Sequence, residues 1–161
     1  MSAPVVIAVD GPAASGKSTL ARRLAEHFDL AFLDTGLLYR AVARAMLDRG
    51  RIFTDTEAAV ATARALVPAD VEPGRLRGEG VGQGASIVAS VGEVRAALLP
   101  FQRRFGEGGR GAVLAGRDVG TVVRPDATFK LFVTASDEER ARNPRATPVR
   151  LRAAERVRAV A

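Results

Sequence analysis

Eight residues near the start constrain this chain most: Gly11-Pro12-Ala13-Ala14-Ser15-Gly16-Lys17-Ser18 spells G-x-x-x-x-G-K-[ST]. Before it, Pro4-Val5-Val6-Ile7-Ala8-Val9 is a nearly continuous apolar run rich in β-branched residues, as in a strand buried on both faces of a parallel sheet. After it, Leu20, Leu24 and Phe28 recur at i, i+4 and i+8 with Arg22, Arg23 and Glu26 elsewhere, which predicts an amphipathic helix. Strand, glycine turn and helix open an α/β unit. The spelling then has a chemical reason. Glycines let successive backbone N–H groups turn toward one centre, and the helix N-terminus adds positive potential. Lys17 reaches the terminal phosphates of a nucleotide, and the Ser18 hydroxyl can ligate Mg²⁺. A turn that merely joins strand to helix is the bland alternative, and the strand-helix context disfavours it.

The rest of the chain continues the alternation. Ala31-Phe32-Leu33 follows a helix and reads as a second strand. Residues 37–49 and 56–67 read as helices, the first closed by Gly50 and the second capped by Thr54 or Asp55. The Pro, Gly and charge content of 68–84 predicts an exposed connection. A helical stretch from Ala85 to Phe105 is broken near Ser90-Val91-Gly92, and Pro100 should end or kink its second part. Ala112-Val113-Leu114-Ala115 and Phe129-Lys130-Leu131-Phe132-Val133 read as strands. Ser136-Asp137-Glu138-Glu139 has a capping-box pattern, and Asn143-Pro144 and Pro148 cut the helix it starts.

The 161 residues carry a formal net charge of +6, which by itself points to a polyanionic partner. Its location says otherwise: residues 1–139 hold 17 cations and 17 anions, whereas residues 140–161 hold seven Arg against Glu155 alone. No aromatic residue interleaves those arginines, so a base-stacking platform is disfavoured. With no Cys there is no disulfide, thiolate metal site or cysteine nucleophile. No run approaches the ~20 apolar residues of a membrane span, and no secretory pattern opens the chain. The expectation is a cytoplasmic protein with no membrane and no nucleic-acid partner.

A phosphate grip alone fits GTPases, motors and small-molecule kinases. There is no Asn-Lys-x-Asp to read guanine, and no second apolar strand ending in Asp-x-x-Gly, which leaves a small kinase in front. Three further polar clusters sit where a second substrate would be held: Asp34-Thr35-Gly36 with Tyr39-Arg40, Ser86 with Arg95, and Gly116-Arg117-Asp118 through Val123. Arginine suits a two-pronged grip on phosphate. On spacing alone Arg40 serves equally well as a solvated surface group, Ser86 as a small helix residue and Tyr39 as a packing residue. Arg117-Asp118 carries more weight, because a charged pair directly after a buried strand is costly unless used.

These stretches, with Gln102-Arg103, Pro125-Asp126-Ala127 and Lys130 through Ser136, resemble the bacterial cytidylate kinase family over residues 5–142. The resemblance implies an α/β P-loop kinase with a parallel sheet flanked by helices and a helical insert that binds the nucleoside monophosphate. The core would be about 1–36 and 111–142, and the insert about 37–110. It implies transfer of the ATP γ-phosphoryl to CMP or dCMP, with Mg²⁺, by a monomer. By carry-over Gly11, Pro12, Ala13, Ala14, Ser15, Gly16, Lys17, Ser18 and Thr19 bind ATP, and Ser18 takes the metal. Arg40 and Arg117 hold the CMP phosphate, Ser86, Arg95 and Asp118 contact cytosine, and Thr35 and Tyr39 belong to the same site. Lys17, Arg117 and Asp118 are the catalytic candidates. Asp118 would accept from the cytosine amine, and a uracil carbonyl would leave it unpaired.

The resemblance stops where the charge accumulates. Asn143 through Pro148 replaces the family's arginine-rich lid, and residues 143–161 read as a basic tail with neither lid nor last strand. On that reading the chain binds nucleotide and phosphorylates CMP poorly. The competing readings are a non-catalytic nucleotide-binding relic, a nucleic-acid binder using the tail, and another small-molecule kinase on the same fold.

Overall fold

A computed structural model of the chain describes residues 4–136, Glu138 and 154–155. The elements are β1 (Val5–Asp10), α1 (Lys17–Phe28), β2 (Ala31–Asp34), α2 (Gly36–Asp48), α3 (Thr56–Ala65), α4 (Val81–Ala89), α5 (Gly92–Arg104), β3 (Gly111–Gly116), β4 (Phe129–Phe132) and β5 (Ala154–Glu155). Two 3-10 turns (Pro68–Val71 and Pro73–Leu76) precede α4, and one π-turn (Val119–Val123) follows β3. The chain divides into two compact units, one of residues 1–34 and 103–161 and one of residues 35–102.

The first unit is a sheet in the order β2-β3-β1-β4-β5. The first four strands are parallel, with Asp10 opposite Gly116 on one side of β1 and opposite Phe132 on the other. All six residues of β3 and five of the six in β1 are buried, which is why both read as unbroken apolar runs. α1 lays its small residues Ala21 and Ala25 on a core of Ile7, Val9, Val113, Ala115 and Val133.

The second unit is helical. α2 buries Leu38, Val42 and Met46 and packs against α3 and α4. Of the two candidate caps for α3 it is Asp55 that serves, accepting the Ala58 N–H at 3.0 Å. Gly84 lets α4 approach its neighbour, since a Cβ there would run into the Phe53 ring.

Two expectations need correction. The stretch 68–84 is not a plain exposed connection: Val71 and Leu76 are buried at the ends of the two 3-10 turns, and α4 starts at Val81, itself fully buried. Those apolar anchors outweigh the surrounding prolines and glycines. Of the two outcomes expected of Pro100, ending the helix is the one overturned: α5 runs on to Arg104. Val94, Leu98 and Gln102 form one buried face at i, i+4 and i+8, and their burial outweighs the one hydrogen bond that proline removes.

The capping pattern from Ser136 falls mostly outside the described residues, as does the basic stretch around Asn143-Pro144 and Pro148. Ala154 and Glu155 pair antiparallel with Leu131 and Lys130, a pairing absent from the sequence reading. Among the described residues no single helix is long and apolar enough to cross a membrane.

Candidate phosphate-binding site

The loop Gly11–Gly16 leaves the C-terminal end of β1, the central parallel strand. Gly11 donates its N–H to the Gly116 carbonyl at 3.2 Å, and a Cβ on it would collide with the Val133 carbonyl. Only glycine admits so close a neighbouring strand. Ala14 (φ 57°) and Gly16 (φ 82°) are left-handed on either side of Ser15. That alternation is the backbone geometry from which anion-binding concavities are built, and α1 begins immediately after it. The Ser15 hydroxyl is buried and has no hydrogen-bond partner.

Lys17 is half-buried and donates from Nζ to the Pro12 carbonyl at 3.2 Å. Burial holds its pKa below the ordinary lysine value; the Asp34 charge opposes this, Arg117 adds to it, and Asp10 opposes it more weakly. The ammonium group is therefore in the field of two carboxylates and a guanidinium. Ser18 Oγ donates to Asp34 Oδ2 at 2.8 Å. The first-turn hydroxyl of α1 and the last carboxylate of β2 thus form a pair of hard oxygen donors beside the lysine.

Asp10 ends β1 and is buried. Its Oδ1 and Oδ2 accept the backbone N–H groups of Val119 and Gly120, each at 2.8 Å. Arg117 and Asp118 lie between β3 and that π-turn, with Arg117 exposed and Asp118 half-buried. The Asp118 carbonyl accepts from the Val122 N–H at 2.9 Å and the Val123 N–H at 3.2 Å. The sheet unit thus carries the loop, Lys17, Ser18, Arg117 and Asp118 together.

Thr35, Tyr39, Arg40, Ser86 and Arg95 belong to the helical unit. Thr35 is buried at the N-terminus of α2, Tyr39 and Arg40 follow on that helix, and Arg95 is exposed near the start of α5. Arg40 Nη2 lies 3.8 Å from where a Cβ of Gly82 would be, and Ser86 Oγ donates to the Gly82 carbonyl at 3.2 Å. Ser86 thus bonds within its own helix, and the Arg40 guanidinium lies alongside Gly82 of that helix. The same unit holds a cleft of about 360 Å³ lined by Arg44, Asp48, Arg49, Asp70 and Arg75 among others. Its charges are largely committed to one another or to the chain: Arg44 pairs with Asp48 at 2.9 Å, Arg49 donates to Thr62 Oγ1 at 3.3 Å, and Asp70 accepts the Val67 N–H at 3.0 Å.

Sequence reasoning missed the working roles of Asp10, Asp34 and Arg103. Asp10 could have been found, since an acid ending an unbroken apolar strand needs buried donors. Arg103 had no such signal. It closes α5 and donates from Nε to the Val123 carbonyl and from Nη2 to the Val122 carbonyl, each at 3.2 Å, contacts that only the fold creates.

The family model for cytidylate kinase matches residues 7–155. A cytidylate kinase from Methylocella silvestris is 59% identical over 137 residues, which cover 85% of this chain and 63% of that protein. One from a Methylobacterium species is 61% identical over 137 residues (85% and 65%), and one from Acidiphilium cryptum 61% over 142 (88% and 66%). The chain thus spans just under two thirds of the length of these curated relatives, and the family-model match extends past residue 142 to residue 155. With a phosphate-binding loop, its lysine and the Arg117-Asp118 pair set along one parallel sheet, the chain belongs to the cytidylate kinase family.

Proposed function

We propose that the protein transfers the γ-phosphoryl group of ATP to CMP or dCMP, giving ADP and CDP or dCDP. The observation that carries this reading is the shared field of Lys17 and Arg117: a donor-phosphate grip and an arginine suited to an acceptor phosphate lie within one unit. A CMP phosphate oxygen attacks the γ-phosphorus while the bond to the ADP oxygen breaks, and catalysis is positioning plus charge neutralisation.

In this reading residues Gly11 to Thr19 wrap the ATP phosphates and Lys17 neutralises the charge on the transferring group. Arg40 and Arg117 hold the CMP phosphate, while Ser86, Arg95 and Asp118 read cytosine beside Thr35 and Tyr39. The sheet unit serves ATP and the helical unit is the monophosphate-binding insert. The chain works as a cytoplasmic monomer on free nucleotides, without a membrane or nucleic-acid partner.

Magnesium fits the donor set. Ser18 Oγ and Asp34 Oδ2 are adjacent oxygen donors, and among the described residues no cluster of three His, Cys, Asp or Glu forms a dedicated cage. That matches an ion held by one or two protein oxygens and completed by phosphate oxygens and water. When bound it screens the phosphate charge. Asp34 accepts the hydrogen bond from the Ser18 hydroxyl, whose oxygen keeps lone pairs with which it could ligate the ion.

A coupled assay offering ATP with CMP, dCMP, UMP and AMP tests the proposal. CMP and dCMP should be phosphorylated well ahead of UMP and AMP, and Lys17→Ala should lower the rate by about 10³-fold. Equal rates with AMP, or no CDP from CMP, would overturn it.

A further inference from the structure

We infer that Arg103 and Asp10 are positioning residues for substrate recognition: they clamp the two ends of the π-turn Val119–Val123 and so fix the direction in which Arg117 and Asp118 are presented. This rests on the proposed role of Arg117 and Asp118 in holding CMP. Neither clamp residue is itself proposed to touch substrate.

The turn is a five-residue element with few hydrogen bonds of its own. Val122 and Val123 share the Asp118 carbonyl, and Arg124 donates to the Val119 carbonyl at 2.7 Å. Each end is completed by a charge of complementary sign. At the N-terminal end the Asp10 carboxylate takes the Val119 and Gly120 N–H groups at 2.8 Å, and at the C-terminal end the Arg103 guanidinium gives to the Val122 and Val123 carbonyls at 3.2 Å. An anion where N–H groups are free and a cation where carbonyls are free is the arrangement that backbone dipoles favour.

Arg103 is itself held. Arg124 Nη1 donates to the Arg103 carbonyl at 3.3 Å, and Arg124 is gripped by Asp126 through two hydrogen bonds of 2.9 Å. Val119 and Val123 are buried, so the turn is also anchored by its apolar side chains. Asp118 is the residue from which the turn starts and Arg117 immediately precedes it. A long arginine loses considerable rotamer freedom on binding, and a rigid base lessens what remains to be ordered.

Calorimetric titration of the whole chain with CMP and, separately, with ATP tests this using Arg103→Gln and Arg103→Lys. Arg103→Gln should weaken CMP about 10- to 100-fold while ATP stays within about twofold, because misdirected contacts cost affinity only where they are used. Arg103→Lys, which keeps the charge but offers its donors from a single nitrogen and not from a planar fork, should recover part of the loss, and it carries the test if Arg103→Gln does not fold. Equal weakening of CMP and ATP, or unchanged CMP affinity, overturns the inference.

Hydrogen exchange separates failure of the clamp from failure of the functional reading. If the unaltered protein binds ATP and no CMP, the functional reading falls. The clamp is then judged by the Val122, Val123 and Arg124 amides, which should exchange about tenfold or more faster in Arg103→Gln while those of β1 stay unchanged. No change at those amides overturns the clamp.

Discussion

The Asp10 carboxylate accepts the backbone N–H of Gly120 at 2.8 Å, joining the last residue of the central strand to a turn 110 positions later. Its other oxygen takes Val119, so a charge only 8% exposed is satisfied by two backbone donors. Asp10→Asn must turn an amide NH₂ toward one of those N–H groups and should cost about 1–3 kcal/mol. Asp10→Ala strands both donors and should cost at least as much. Urea denaturation checks this through a lower midpoint at unchanged slope; wild-type midpoints for both variants would refute it.

Close approach of backbones makes a second prediction, which ranks three glycines. Gly11→Ala drives a methyl into the Val133 carbonyl, which is backbone and cannot swing away, so it should destabilise by about 1–3 kcal/mol or more. Gly84→Ala meets the Phe53 ring, which can shift, and gains about 1 kcal/mol of helix propensity. Its net cost should therefore be smaller and should fall further in the Phe53→Leu background. Gly74 has open space and no left-handed backbone, so Gly74→Ala should be neutral or stabilising by up to about 1 kcal/mol. Thermal melts of the three proteins should fall in that order; a Gly74→Ala protein less stable than Gly11→Ala would contradict the geometry.

The difference between what was legible in the sequence and what was not follows the range of each interaction. β1, the glycine loop and α1 are written in contiguous residues, so apolar run, turn and helical spacing located them, although the spacing put Phe28 on the apolar face where the fold exposes it and buries Ala21 and Ala25. The argument that singled out Arg117-Asp118, the cost of a charged pair after a buried strand, does not apply to Arg117, which the fold leaves exposed beside a half-buried Asp118. The anchors Val71 and Leu76 were hidden among prolines and glycines, and α5 passes Pro100 because three side chains at helical spacing are buried on tertiary neighbours. Asp10 to Gly120 and Arg103 to Val122 join residues 110 and 19 positions apart, and no local pattern encodes them.

The Arg124–Asp126 pair predicts a pH dependence. Hydrogen bonds from Arg124 hold the Asp126 carboxyl below the usual aspartate range. A depressed folded pKa adds stability that is present above the unfolded value of about 3.9 and is lost as pH falls through the folded value. Asp126 is 66% exposed, so solvent screens the pair and the contribution should be no more than about 1 kcal/mol. Asp126→Asn should be less stable than wild type by that amount at neutral pH, and the gap should close in acid. A gap of constant size in urea melts from neutral pH down to about pH 2 would show that the ionised pair is not its source.

Lys17 gives the most direct view of the site, because the chain has only one other lysine, Lys130. Burial favours the neutral amine, so the folded pKa lies below the unfolded value of about 10.4. Between the two values the unfolded chain binds more protons, and stability should rise with pH across that window. The cost of keeping Lys17 charged is complete below its folded pKa. Carbon NMR of lysine-labelled protein, with Lys130→Arg to assign the signals, should show Lys17 titrating below the ordinary lysine range. Asp34→Asn should lower its pKa further by removing the main opposing charge, and Arg117→Gln should raise it by removing a like charge. ATP should raise it as well, since the phosphates supply negative charge that the protein alone does not. A Lys17 signal indifferent to Asp34, Arg117 and ATP would mean that the ammonium group does not face the site at all.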